Sequence, residues 1–455
     1  MAETERLKRG QWIVLAAAFL GWMFDGVEIG LTPQIARPAL RNLLGAIDDS
    51  QVGSWNGYIF ASFLLGAAFG GLIFGWLGDK IGRVRAMTIS VLTFSLVTGA
   101  AGLLTTQPWQ LCAFLFVSAL GMGGQWAVAV ALVMECWPER HRPKLAGAIG
   151  AASNFGFLMI ALVAFFRPVT ADTWRQLMYI GATPAVLALV IMAFVPESER
   201  WKEAARKSNS RPLHEVFSRG MRRRTLFAIA FSAVPLIGTW AAVSGWIPAW
   251  VEQLRENELS RAQVAIAHPV SETFTAGPAD EKALFSAIDP QRKGEIKIAA
   301  ARSKAEVQIF MAIGAIISCF VTPLVGGKWG RRPTYFALCL LSLLSCSWLF
   351  RRFDVVDAEF MALALWVGAV TAAFYGWLPL YLPEVFPTRV RATGQGLSYN
   401  SGRFLAAIGA LNMGWLVQEL GGNYASAGAR IVLIYLVGMV LIWFVPETKG
   451  KPLPD

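Results

Sequence analysis

The sequence predicts an all-α integral membrane protein whose twelve transmembrane helices form two six-helix, pseudo-symmetric halves. Three observations carry that expectation: a charge-poor composition, twelve apolar stretches of spanning length, and an internal repeat at an offset near 250 residues. Of the 455 residues, 55% are apolar and 16% charged, whereas soluble domains carry about 25% charged residues. A soluble chain of this length would make about three domains, and cores of that size cannot bury so many Phe, Trp, Leu and Ala side chains. Lipid must serve as the solvent.

A helix that crosses a bilayer needs about 20 mainly apolar residues. Such stretches fall at 11–33, 51–77, 84–105, 109–134, 145–166, 174–195, 224–250, 306–327, 333–350, 359–382, 393–416 and 427–445. The first follows Arg6, Lys8 and Arg9. It is too long for a signal-peptide core and lacks a small-residue cleavage site, so it is expected to be retained.

The repeat divides the chain. Gly78-Asp79-Lys80-Ile81-Gly82-Arg83 after the second stretch matches Gly326-Gly327-Lys328-Trp329-Gly330-Arg331 after the eighth, at an offset of 248. Glu135 and Pro138 recur as Glu384 and Pro387 at 249, and Pro196-Glu197-Ser198 recurs as Pro446-Glu447-Thr448 at 250. Duplicated halves are the layout of many secondary transporters. The expected organisation is a first half at 1–200, a linker at 201–223 and a second half at 224–455. Within the second half, residues 251–305 hold 8 Lys or Arg, 8 Asp or Glu, Pro269, Pro278 and Pro290, and no full span. They read as an inserted extracytoplasmic segment, either a small helical cap or a disordered loop. Gly66 and Gly70, four apart in the second span, read as close-packing positions.

The net charge of +11 is a topology signal. Alternate inter-span segments carry 25 Lys and Arg on one side and 15 on the other, and 8 of those 15 lie in the long insertion that the orientation rule discounts. Both termini are expected in the cytoplasm, and nucleic acid is not expected as a partner. The absence of a transit-type leader favours a plasma (inner) membrane. Cys112, Cys136, Cys319, Cys339 and Cys346 lie in or beside spans and make no disulfide framework. His141, His214 and His268 have no metal-ligand spacing, and no phosphate-cradling glycine loop ends in Lys-Ser or Lys-Thr. The chain is expected to be neither an enzyme nor an ATP-driven pump, with no metal, no cofactor and no obligatory protein partner; its surroundings are the lipid bilayer.

GWLGDKIGRVR (75–85) resembles the loop between helices two and three of the major facilitator superfamily, and the resemblance covers nearly the whole chain. The second copy is degenerate, with Gly327 where an acid would match. VPESERW (195–201) and VPETKG (445–450) resemble the half-ending signatures of sugar-porter-type members. GMGGQWAVAVALVMECWP (121–138) and FDGVEIG (24–30) are similar to the fourth- and first-helix motifs of the sialate, lactate and aromatic-acid proton symporters. Where those relatives usually carry Arg and Glu this chain has Leu115 and Gln125, which removes two ionisable groups often linked to proton coupling. The resemblance implies a carrier of the major facilitator fold that works by alternating access.

An ionised side chain at the bilayer centre costs about 2.5–3.5 kcal/mol on insertion scales, so each one needs a partner, water or a function. Asp25 lies mid-span and Glu28 follows three residues later, about 4.5 Å along the axis. Facing a wet cavity, two neighbouring carboxylates form a proton-coupling site. The alternative is a structural Asp25 bonded to a neighbouring helix and a Glu28 near the interface. Arg403 is the one cation deep in a span, beside Gly402 and near Asn400. Its planar fork suits a carboxylate, and the resemblance implies the same, because organic-anion members often carry an eleventh-helix Arg. The alternatives are a buried pair with Asp25 or Glu28, or an interfacial position.

Trp22, Gln125, Trp126, Asn154, Trp240, Tyr375, Trp377 and Asn400 are candidate solute-binding groups, with Tyr399 beside them. Tyr375 and Trp377 flank Gly376 near Pro379, where a broken helix suits a gate. On the charged side Asp79, Arg83, Glu135, Arg142, Glu384 and Arg391 read as gating residues, with Glu135–Arg142 and Glu384–Arg391 as expected pairs; fixed topology charges are the alternative. The leading function is proton-coupled symport of an organic monocarboxylate. A sugar or polyol porter is second, and a receptor or scaffold that keeps the fold without transport stays open.

Overall fold

A computed structural model describes residues 8–45, 49–207, 212–239, 246–267, 288–412 and 424–454. The first half comprises α1 (Arg9–Leu44), α2 (Asp49–Ile81), α3 (Arg83–Leu104), α4 (Pro108–Cys136), α5 (Arg142–Phe166), and α6 (Trp174–Ala182) with α7 (Pro184–Phe194) as one broken span. Two short helices, α8 (Glu199–Lys207) and α9 (Pro212–Val216), carry the linker. The second half begins with α10 (Arg222–Pro235) and α11 (Trp246–Ala267), then α12 (Pro290–Trp329) and α13 (Arg331–Arg352). It continues with α14 (Ala358–Ala372), α15 (Phe374–Val385), α16 (Arg391–Asn400), α17 (Gly402–Leu411), α18 (Tyr424–Ile431) and α19 (Ile434–Leu441). The described residues are helical throughout apart from short connections, as a hydrocarbon solvent demands of any spanning backbone.

Two helices outrun their apolar stretches. α1 continues eleven residues past residue 33, through Pro33 and Pro38, and α12 begins at Pro290 rather than near 306. Hydropathy marks only the part that meets lipid, whereas a 40-residue helix is about 60 Å long, twice the hydrocarbon thickness. The start of α12 is well formed: Asp289 accepts from the Gln291 and Arg292 amides, and Pro290 occupies the first turn, where its missing N–H costs nothing. The segment is helical at both described ends, which continue the flanking helices; residues 268–287, where the cap and loop readings differ, lie outside the described residues.

The repeat is a repeat of geometry. Gly82 (φ 107°) and Gly330 (φ 112°) precede α3 and α13, in a backbone region reserved for glycine. Arg83 then donates to the Gly78 carbonyl at 2.7 Å and Arg331 to the Gly326 carbonyl at 2.9 Å. A Cβ on Gly66 would lie 2.1 Å from the Phe116 oxygen and one on Gly70 2.0 Å from that of Leu120, so the pair does permit the close α2–α4 crossing. α4 is the most enclosed span, whereas α7 turns Leu189, Met192 and Phe194 outward. Gln11 of α1 bonds the Cys136 carbonyl, while the Pro454 carbonyl receives Arg391 Nη2, whose Nη1 donates to Glu135. Both ends of the described chain thus lie on one face, the termini face.

Candidate functional site

A cavity of about 680 Å³, including its opening to solvent, lies between the halves. α1 and α5 contribute Trp22, Ser153 and Asn154, and the second half contributes Gln308, Tyr375 and Tyr399, with Thr239 and Thr371 beside them. Aromatic rings build one wall. Trp126 stacks on Tyr399 at 4.1 Å and 16°, Trp22 stands 6.4 Å from both, and Tyr375 is 6.3 Å from Tyr399. The Arg403 guanidinium lies 5.6 Å from the Tyr399 ring, within the range of a cation–π contact.

Asp25 and Arg403 are both fully buried, and each acts electrostatically on the other. No ion pair joins them among the described residues, and neither Asp25 oxygen nor Arg403 Nη1 has a hydrogen-bond partner. The expectation of a closed structural pair is therefore not met. An unsatisfied buried group costs about 1–3 kcal/mol, and more when it is charged.

Other expected residues are placed differently. Glu28 does not share a wet cavity with Asp25. The two acids share one helical face, about 60° apart around the axis, but the Glu28 carboxyl is turned into the first half, where Oε1 accepts from Thr98 and Ser118 at 2.6 Å each. Those hydroxyls are themselves 2.8 Å apart, and Oε2 has no partner. Asn400 is not at the cavity either: its Nδ2 crosses between halves to the Gly123 carbonyl at 3.0 Å. Trp377 is buried against Phe231, Tyr335 and Tyr381 and donates to the Arg331 carbonyl at 3.0 Å, away from the cavity. Gln125 is buried with both amide atoms unpaired; its amide lies where a Cβ on Gly21 would be 2.2 Å away. Asn154 lines the cavity and bonds the Gly150 carbonyl. Trp240 lies outside the described residues.

On the termini face the charged side chains form a buried network. Arg83 donates to Glu135 at 3.0 Å and to Asp79 at 2.8 Å, and its second-half counterpart Arg331 donates to Glu384 at 2.7 Å. Ser198 bonds Glu135 and Thr448 bonds Glu384, each at 2.6 Å, which completes the duplication. Across the halves, Asp79 accepts from the Thr393 amide at 2.8 Å and its hydroxyl at 2.6 Å. Neither expected glutamate–arginine pair forms: Arg391 meets Glu135 of the other half at 3.1 Å rather than Glu384, and Arg142 pairs with Glu139 of its own half rather than with Glu135.

Sequence reasoning missed Gln308, Thr239 and Thr371 at the cavity and Thr98 and Ser118 at Glu28. Single hydroxyls and amides in apolar helices give no periodic signal; only the helix rotations bring them together. On the opposite face, Gln34 donates to Gln308 at 2.8 Å across the halves, and Lys304 pairs with Glu252 at 3.1 Å. Burial pushes the Glu252 carboxyl up, but Lys304, with Arg37 and Arg41 beyond it, more than offsets this and holds it below its ordinary value.

Comparison with known proteins agrees with this architecture. Residues 12–277 match the Major Facilitator Superfamily, and residues 296–455 match the family described as "Sugar (and other) transporter". The chain is 26% identical to the cis,cis-muconate transport protein of Acinetobacter baylyi, over 99% of this chain and 98% of that one. It is 24% identical to the sialic acid transporter NanX of Escherichia coli, over 96% and 94%. A solved structure of the proton:xylose symporter XylE superposes with a TM-score of 0.70 at 18% identity, covering 97% of each chain. With its duplicated halves and its membrane-spanning helices, this chain belongs to the Major Facilitator Superfamily and is a multi-pass membrane transporter of organic solutes, not an enzyme.

Proposed function

We propose that the chain carries a small organic carboxylate in symport with a proton, and the observation that bears most weight is the pair of buried charges just behind the cavity lining: Asp25, three residues from Trp22 with both oxygens unpartnered, and Arg403, over the Tyr399 ring with Nη1 unpartnered. Arg403 offers the solute carboxylate a planar fork, and Asp25 takes the proton. Each carboxylate charge neutralised favours the other binding event, so proton and anion raise each other's affinity by the same factor. Trp22, Trp126, Tyr375 and Tyr399 supply apolar contact, while Gln125 and Asn154 supply amides near it. Glu28, shut inside the first half, is a second proton site out of the solute's reach. Two relatives whose names specify muconate and sialic acid are named for acids, which supports this reading.

The 25 Lys and Arg on the termini side support a cytoplasmic position for that face, in a plasma (inner) membrane on this reading. Asp79, Arg83, Glu135, Arg142, Glu384 and Arg391 then act as the inner gate, whose cross-half bonds break as the halves rock around the central site. Gln34–Gln308 closes the outer side.

A sugar or polyol is the second reading, favoured by the neutral Asn154, Gln308, Thr239 and Thr371 that line the cavity. Uptake into proteoliposomes decides between them, using a panel of acids and sugars with and without a pH gradient. Acid uptake accompanied by external alkalinisation supports symport. Sugar uptake without acid uptake refutes it, and no uptake of any solute points to the receptor or scaffold reading.

A further inference from the structure

Arg391, Gln395, Tyr399 and Arg403 stand four residues apart on the eleventh span, a row rising about 6 Å per step from the termini face to the cavity. Arg391 contacts Glu135 near the end of α4, and Tyr399 stacks on Trp126 nine residues earlier in the same helix. Gln395 is therefore level with the middle of the run Ala127–Met134, whose eight residues are all apolar and buried. That run separates the cavity from the charged network. Gln395 is itself 0% exposed, and neither Nε2 nor Oε1 has a partner.

A buried amide with both ends unsatisfied opposes the arrangement that buries it. Leucine there would pack against the same run with no such penalty. The amide gains partners when the termini face opens and this barrier fills with water, or when a solute oxygen passes. We infer that Gln395 is a release station: with the termini face open, its Nε2 donates to the solute carboxylate as that group leaves Arg403 for the exit. The inference rests on the carboxylate reading proposed above. It adds a residue on the exit path, one turn of the helix beyond Tyr399 towards the termini face.

The test uses the full chain in proteoliposomes. Gln395→Cys is treated with N-ethylmaleimide, and peptide mass assigns the label to position 395 apart from the five native cysteines. Labelling is slow in the otherwise unaltered chain and rises at least about tenfold when Glu135→Gln opens the termini face. Equal labelling in both backgrounds overturns the placement. Gln395→Leu and Gln395→Glu are then compared in counterflow of benzoate, cis,cis-muconate and xylose. Leu slows acid release about threefold and Glu at least about tenfold, with the KM for entry unchanged, because a fixed negative charge repels a carboxylate. Gln395→Leu unfolds no earlier than the unaltered chain; earlier unfolding marks a purely structural amide and overturns the inference. Acid counterflow undiminished in Gln395→Glu sinks the release station alone, whereas an unaltered chain that carries xylose and no acid sinks the carboxylate reading and this inference together.

Discussion

Arg391 Nη1 of the second half donates to Glu135 Oε1 of the first half at 3.1 Å, with both side chains fully buried. The same glutamate accepts Arg83 of its own half and the Ser198 hydroxyl, so one carboxylate fastens a within-half brace to a between-half contact. Removing one partner of a buried pair costs about 3–5 kcal/mol when the other charge stays behind unpaired, and less here, because Glu135 keeps Arg83. Here the cost of losing Arg391 falls on the form that is closed at the termini face, since only that form brings the halves together there.

Arg391→Gln is therefore expected to shift the population towards a form open at the termini face, by up to about a hundredfold for a 3 kcal/mol loss. Glu135→Gln shifts it further and also lowers thermal stability, because Arg83 loses its partner as well. Spin labels at exposed Arg85 and Lys328, one in each half, report the separation by electron–electron resonance. A distance distribution that neither substitution widens would show that the pair does not hold the face shut.

The duplicated glycines give an unequal pair of outcomes. Alanine at either position must adopt a backbone conformation that costs about 1–3 kcal/mol. A Cβ on Gly82 would also lie 2.3 Å from Glu197 Oε2, against 3.1 Å from Glu447 Oε2 for Gly330. Glu197 caps α3 through the Val84 amide at 3.0 Å, so pushing it aside adds the loss of a helix cap. Gly82→Ala is expected to lower the Tm in detergent more than Gly330→Ala, and equal Tm shifts would contradict the close approach.

Glu447 follows the last span and caps α13. Its Oε1 accepts from the Arg331 amide and its Oε2 from the Arg332 amide, at 3.0 and 3.1 Å. Partial burial pushes its carboxyl up, but these amides and those of Lys449 and Thr448 outweigh that and hold it below its ordinary value of 4.5. A depressed folded-state value means that the carboxylate stabilises the fold above about pH 4.5 and loses that contribution as pH falls through the lower folded value. Glu447→Gln should lower the Tm at pH 7, with the deficit shrinking progressively below pH 4.5. A deficit independent of pH would assign the effect to packing.

The helical spans and the duplicated charged motif were legible because each leaves a local pattern: spanning-length apolar runs, and Gly-Arg, Glu-Pro and Pro-Glu elements at one offset. Helix rotation leaves none in a span that is apolar all round. Hence Glu28 bonds Thr98 and Ser118 inside the first half while Asp25, three residues earlier, has no partner, and Trp377 turns towards Phe231 while Tyr375, two residues away, faces the cavity. Partner choice is equally hidden. Glu135 and Arg142 are neighbours in sequence, yet the arginine that Glu135 meets across the halves lies 256 residues away, a contact that exists only once the halves dock. What hydropathy did expose was Asp25 and Arg403, since a charge in an apolar run stands out whatever its rotation.

Those two charges separate binding from coupling. Arg403→Ala removes the one cation that, among the described residues, lies against Tyr399 of the aromatic wall, and acid uptake should fall to background. Arg403→Lys keeps the charge but loses the planar two-pronged contact, so uptake should drop by about tenfold or more, the equivalent of at least 1.4 kcal/mol. Asp25→Asn keeps size and polarity while removing the proton acceptor. An inside-alkaline gradient should then no longer drive accumulation, yet exchange of internal for external acid should continue, because exchange needs Arg403 and no net proton movement. Both variants are assayed in the same proteoliposomes, with and without the gradient. Accumulation that persists in Asp25→Asn moves the proton elsewhere, with Glu28 as the remaining buried acid of α1. Exchange lost along with accumulation would mean that Asp25 holds Arg403 in position, so that the gap between the two side chains is structural after all.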